Sequence, residues 1–106
     1  ALLRAATALL DAEIASLWAT AAAGEELVPE RRARLRGTAT WVTTAAAQVV
    51  DAAYTAGGGS AIYSASPLQR RWRDVHAVTQ HFALKADTLT TVGAVLAGED
   101  VDLTLL

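Results

Sequence analysis

The residues best equipped for chemistry fall in one run, Ser66-Pro67-Leu68-Gln69-Arg70-Arg71-Trp72-Arg73-Asp74-Val75-His76-Ala77-Val78-Thr79-Gln80-His81, with Gly57-Gly58-Gly59-Ser60 just before it. Two imidazoles suggest metal binding or proton transfer. His76 and His81 are five residues apart, which on a helix turns them roughly 140° away from each other. Two histidines at i, i+4 with an intervening Glu would share one face and hold zinc; this pair does not, and the spacing argues against a metal site. The ordinary role of a lone histidine is a surface or satisfied structural one. His81 differs in standing at a helix end beside Phe82, Ala83 and Leu84, where a partly apolar setting tunes an imidazole for proton transfer.

Arg70, Arg71 and Arg73 lie near the start of the same helix, where cations oppose the macrodipole. Arg70 and Asp74 are one turn apart and form an intrahelical ion pair in the simplest reading. The other reading is an anionic cofactor or a partner's carboxylate, either of which a guanidinium grips in bidentate fashion. The glycine run is either a helix stop with a linker or a place where backbone N–H groups approach a phosphate closely. It is neither a Walker loop, which needs Lys-Ser/Thr directly after it, nor a dinucleotide fingerprint, which needs a strand before it. Ser60, Ser64 and Ser66 lack the Gly-x-Ser-x-Gly elbow of a serine hydrolase. Trp18, Trp41 and Trp72 fit as core or interface anchors.

Four helices must position these groups. Leu3, Leu10, Ile14, Leu17, Trp18 and Ala21 recur at helical spacing and predict a helix over 2–23, stopped by Gly24. Pro29 opens a second over 30–56, in which Leu35, Ala39, Val42, Ala46, Val49 and Ala53 form a 4-3-4-3-4 seam rich in Ala. Gly57 should end it in the left-handed conformation. Ser66 as N-cap, Pro67 at the first position and Gln69 as capping-box partner start a third over 67–80, with Leu68, Trp72, Val75 and Thr79 facing inward. A fourth over 85–97 uses Leu89, Val92 and Leu96, and Glu99 onward reads as a tail. The fold class expected is all-α, a four-helix bundle in a single domain.

Composition narrows the function classes. A chain of 106 residues holds one core at most. The net charge of −2 gives no general attraction to nucleic acid or to an anionic membrane. There is no cysteine, so disulfides and thiolate metal sites are excluded and redox work requires an added cofactor. The opening apolar run is broken by Arg4, Asp11 and Glu13 before it could span a bilayer. With helical periodicity already running at residue 2, the chain reads as the end part of a larger cytoplasmic protein.

Gly58-Gly59-Ser60-Ala61, Ser66-Pro67-Leu68-Gln69-Arg70, Arg73-Asp74 and Gln80-His81, followed by Val92-Gly93-Ala94-Val95-Leu96, resemble the C-terminal domain of group D flavin-dependent monooxygenases. These are the oxygenase halves of two-component systems and share the acyl-CoA dehydrogenase fold. The likeness spans residues 35–98 and is densest over 57–81. It implies that Gly58, Gly59, Ser60, Ser66 and Arg70 line the flavin site, often across a subunit boundary, and that His81 is the catalytic histidine at the reactive edge of the flavin. It also implies reduced FMN or FAD delivered by a separate flavin reductase, O2 as cosubstrate, a small aromatic substrate to hydroxylate, and a homotetramer. The segment alone should be inactive.

Two alternatives stand beside this one. Acyl-CoA dehydrogenases share Arg73-Asp74 but carry Tyr-Glu-Gly-Thr beyond it, whose Glu is the base; here Phe82 and Ala83 occupy the Glu and Gly positions. Some dehydrogenases place the base elsewhere in the bundle. The other alternative is a helical oligomerisation module with no chemistry of its own.

Overall fold

A computed structural model describes residues 1–104 and 106. Four helices follow one another as α1 (Leu2–Ala22), α2 (Pro29–Ala56), α3 (Pro67–Thr79) and α4 (Thr88–Leu96), with a 3-10 turn at Gly58–Ile62 and no strand among the described residues. The all-α, four-helix expectation holds. None of these helices is long and apolar enough to cross a membrane.

The helix ends follow local chemistry. Gly24 closes α1 at φ 69°, the left-handed conformation a Cβ would strain. Pro29 occupies the first turn of α2, where its missing N–H costs nothing. One conformation and one boundary depart from expectation. Gly57 stays right-handed at φ −68°, and Gly58 takes the left-handed role at φ 62°, because the chain continues into the 3-10 turn. The fourth helix begins at Thr88 rather than near 85, since residues 81–87 form turns in which the Leu84 and Lys85 amides both donate to the His81 carbonyl, at 2.9 and 3.0 Å.

All helix packing passes through α2, which touches α1, α3 and α4, while those three do not pack on one another among the described residues. The molecule is accordingly extended, 50 × 27 × 21 Å with a radius of gyration of 16.6 Å, against about 13 Å for a compact chain of this length. Being covered on three sides, α2 buries Ala33, Thr38, Thr40, Ala45 and Ala47 rather than one stripe. The predicted seam residues Leu35, Ala39, Val42, Ala46 and Val49 are half-buried around them, and Ala53 is exposed.

α1 is covered by α2 alone, so only one flank of its wide apolar stripe is sheltered. Ala6 is buried and Leu10 and Leu17 half-buried, while Leu3, Ile14 and Trp18 face outward, Trp18 with 76% of its surface accessible. On α4 the buried pair is Val92 and Val95, and the predicted Leu89 and Leu96 are exposed. Val92 sets this orientation by seating against Gly37, where an added Cβ would lie 3.2 Å from its Cγ1. Ala33, Val92 and Val95 form a small core that Val101, Leu103 and Leu106 cover. The expected tail therefore folds back, and Arg32 fastens it by donating to the carbonyls of Leu103 and Leu106 at 3.1 and 2.7 Å.

Candidate functional site

The N-terminal end of α3 is a shaped loop rather than a loose linker. An added Cβ on Gly57 would lie 2.8 Å from Leu68 Cδ1, so the missing side chain lets the 3-10 turn sit tightly on α3. Gly58 and Gly59 instead have open space where a Cβ would be. Ser60 Oγ donates to the Gly57 carbonyl at 2.9 Å, and Gln69 Nε2 donates to the Ile62 carbonyl at 2.5 Å. Ser66 caps the helix by accepting the Leu68 amide at 3.3 Å. The expected capping box is thus half made: Gln69 is drawn to the preceding turn, and the Ser66 amide donates to the Tyr63 carbonyl instead.

Arg70, Arg71 and Arg73 are exposed, and among the described residues the Arg70–Asp74 ion pair does not form. Their opposition to the helix dipole is therefore uncompensated by any side chain here.

His81 lies beyond the opposite end of α3. The helix between contains 13 residues, about 20 Å at 1.5 Å rise per residue. Gly58, Gly59, Ser60, Ser66 and Arg70 thus gather at one end, and His81 stands apart at the other. The His81 ring stacks obliquely on Phe82, centroids 4.7 Å apart. Its Nδ1 accepts the Ala83 amide proton at 3.2 Å. An Nδ1 used as acceptor leaves the neutral ring's proton on Nε2. The exposed side chain therefore presents an N–H donor beside an open, largely apolar cleft of about 520 Å³ that it lines with Ala77, Val78, Gln80 and Leu84.

A third cluster was not visible in the sequence. Asp51 of α2 accepts from Trp72 Nε1 at 2.9 Å and lies 2.8 Å from His76 Nε2, both on the same Oδ1. The hydrogen bond from His76 holds the Asp51 carboxyl below its usual value of 3.8; partial desolvation opposes this, while the charge of His76 and the Trp72 bond reinforce it. Trp72 lies obliquely against both Tyr54 and His76, with ring centroids 5.6 and 4.8 Å away. Trp72 and His76 are at i, i+4, as are the partners of a helix-face pair, but only the register of α2 against α3 brings Asp51 to them. His76 is therefore satisfied structurally while lining a second cleft of about 510 Å³ with Thr44, Thr79 and Lys85.

The model of the "Acyl-CoA dehydrogenase, C-terminal domain" family matches residues 1–86. The chain belongs to this family. It is 38% identical over 79 residues to a pigment production hydroxylase of Rhodococcus erythropolis, covering 74% of this chain and 20% of that protein. It is 37% identical over 74 residues to the flavin-dependent monooxygenase oxygenase subunit HsaA of Rhodococcus jostii, 70% of this chain and 19% of that one. The Mycobacterium tuberculosis subunit of the same name is 35% identical over the same length, with the same coverage. The chain thus spans about a fifth of the length of the curated relatives it matches.

Proposed function

We propose that this domain is the C-terminal part of the oxygenase component of a two-component flavin-dependent monooxygenase. In this reading the parent protein is a cytoplasmic homotetramer that takes reduced FMN or FAD from a separate flavin reductase and, with O2, hydroxylates a small aromatic substrate. The observation that carries it is His81: its Nδ1 accepts the Ala83 amide, which favours an Nε2–H donor beside an apolar cleft, in a chain resembling proteins named as oxygenase subunits and a hydroxylase.

The residues fit a flavin. Open space at Gly58 and Gly59 permits backbone approach, the Ser66 hydroxyl keeps its proton for donation, and Arg70 is available to an anion. The flavin supplies the electron transfer to oxygen. His81 donates a hydrogen bond from its Nε2–H, beside the apolar Val78 and Leu84 that line the same cleft. With the two ends of α3 about 20 Å apart, the glycine–serine end serves either the far part of a dinucleotide or a flavin of a neighbouring subunit. Outward-facing Leu3, Ile14 and Trp18 favour association into an oligomer. At the position where many dehydrogenases of this fold carry a Glu base, Phe82 has no proton to exchange.

The test supplies the parent protein with free reduced FMN or FAD, oxygen and a panel of phenolic substrates. Hydroxylated product formed at the expense of reduced flavin supports the reading. Flavin reduction by an acyl-CoA thioester, with no oxygenated product, contradicts it.

A further inference from the structure

We infer that Arg36 is a positioning residue for His81. Arg36 Nη1 donates to the Ala83 carbonyl at 3.0 Å, across 47 residues of sequence, and the Ala83 amide donates to His81 Nδ1 at 3.2 Å. Both peptide groups flanking the Ala83 Cα are thus engaged, one by α2 and one by the imidazole. The turn is internally closed by Leu84 and Lys85 amides on the His81 carbonyl, but those bonds fix its shape, not its place. Arg36 ties it to the longest helix with a charge-assisted bond, about twice as strong as a neutral one. Thr88 Oγ1 reaches the Phe82 carbonyl only at 3.5 Å, the limit of a hydrogen bond. Both Arg36 and Ala83 are half-buried, which shelters the tie from competing water.

The consequence reaches the chemistry through the tautomer. If Ala83 rotates, its N–H leaves Nδ1, and the imidazole is free to carry its proton on either nitrogen. Arg36 therefore keeps the Nε2–H donor in place without touching the cleft that His81 lines. The catalytic part of this inference rests on the role proposed for His81; the positioning part does not.

The test has two arms. In the first, nitrogen-15 NMR of the His81 ring at alkaline pH and amide hydrogen exchange at Ala83 are measured on the 106-residue chain. Arg36→Met should lower the Nε2–H to Nδ1–H tautomer ratio about threefold and speed Ala83 exchange about tenfold, as for a bond loosened in a folded chain. Arg36→Lys, which retains a charged donor, should recover at least part of both, and a circular dichroism spectrum equal to the parent's shows that the fold is kept. Unchanged tautomer ratio and exchange in folded Arg36→Met overturn the positioning role. In the second arm, product formed per O2 consumed is measured in the parent enzyme for Arg36→Met, His81→Ala and the double variant. Arg36→Met should lower the ratio, and the double variant should be no worse than His81→Ala alone. Additive losses overturn action through His81. An unaltered ratio in His81→Ala, with the NMR effects intact, overturns the role proposed for His81 and leaves the positioning standing.

Discussion

Replacing Thr40 by Val should stabilise this domain, against the ordinary expectation for a core substitution. Thr40 is the one side chain of its size that is fully buried among the described residues, at 0% accessibility, and its Oγ1 has no hydrogen-bond partner. Its neighbour one turn on, Thr44, donates to the Thr40 carbonyl at 3.1 Å and so does not serve the hydroxyl. An unpaired buried hydroxyl costs about 1–3 kcal/mol. Val replaces it with a methyl of similar size, and the two residues have nearly equal helix propensity. The expected gain is about 1–2 kcal/mol, which at about 4–5 °C per kcal/mol for a chain of this length raises Tm by roughly 4–10 °C. Thermal unfolding followed by circular dichroism at the helix band reads this directly, with urea unfolding as a second measure. Thr40→Ser is the control, since it keeps the hydroxyl, loses the methyl and should lower Tm. A Thr40→Val protein that melts below the parent would mean the hydroxyl is paired, and would refute the reasoning.

Val92→Ala should cost about 2 kcal/mol, from two lost methyl groups and the cavity against Gly37, whereas Leu96→Ala, although a larger truncation, should cost under about 0.5 kcal/mol; denaturant unfolding of the pair checks the facing of α4. Ser66→Ala should cost about 1 kcal/mol through loss of the α3 N-cap, read in the same assay. The lowered Asp51 carboxyl predicts a sign for pH dependence. A depressed carboxylate adds stability above its unfolded value of 3.8, and that stability is lost as pH falls through the lower folded value. Stability should therefore fall less between neutral pH and about pH 3 in Asp51→Asn than in the parent. Part of the slope should survive, because Asp102 is held low in the same direction by Thr104.

Much of the fold was legible because helix ends carry local signals. Gly24, Pro29 and Ser66-Pro67 each act through their own backbone and nearest neighbours, so one sequence suffices to read them. The packing faces were harder. The 4-3-4-3-4 seam on α2 assumes one partner, but three helices share α2, and the buried positions became the small residues between the seams. Leu89 and Leu96 were expected inside because they are large and apolar. The contact at Gly37 keeps the expected Val92 inward and brings Val95 with it, leaving Leu89 and Leu96 outside, and such a contact is a property of two helices together.

The same distinction runs through the site. The glycine–serine loop and His81 could be named from residue types and resemblance. Asp51 with His76, and Arg36 with Ala83, could not, because neither an acid on one helix nor a guanidinium far from a turn carries a pattern that names its partner. The resemblance names Gly58, Gly59, Ser60, Ser66 and Arg70 together with His81, residues that the fold separates by the 13-residue length of α3.

The central claim is that His81 supports oxygenation chemistry in the parent protein. The most direct measurement is the ratio of hydroxylated product to released hydrogen peroxide, for parent and His81→Ala proteins supplied with reduced flavin, oxygen and substrate, with oligomeric state followed in parallel. The account predicts unchanged assembly and a shift of at least about tenfold from product toward peroxide, as for loss of a preorganised hydrogen-bond donor. Equal ratios in the two proteins, or loss of assembly as the sole change, would contradict it and favour a domain that serves only to join subunits.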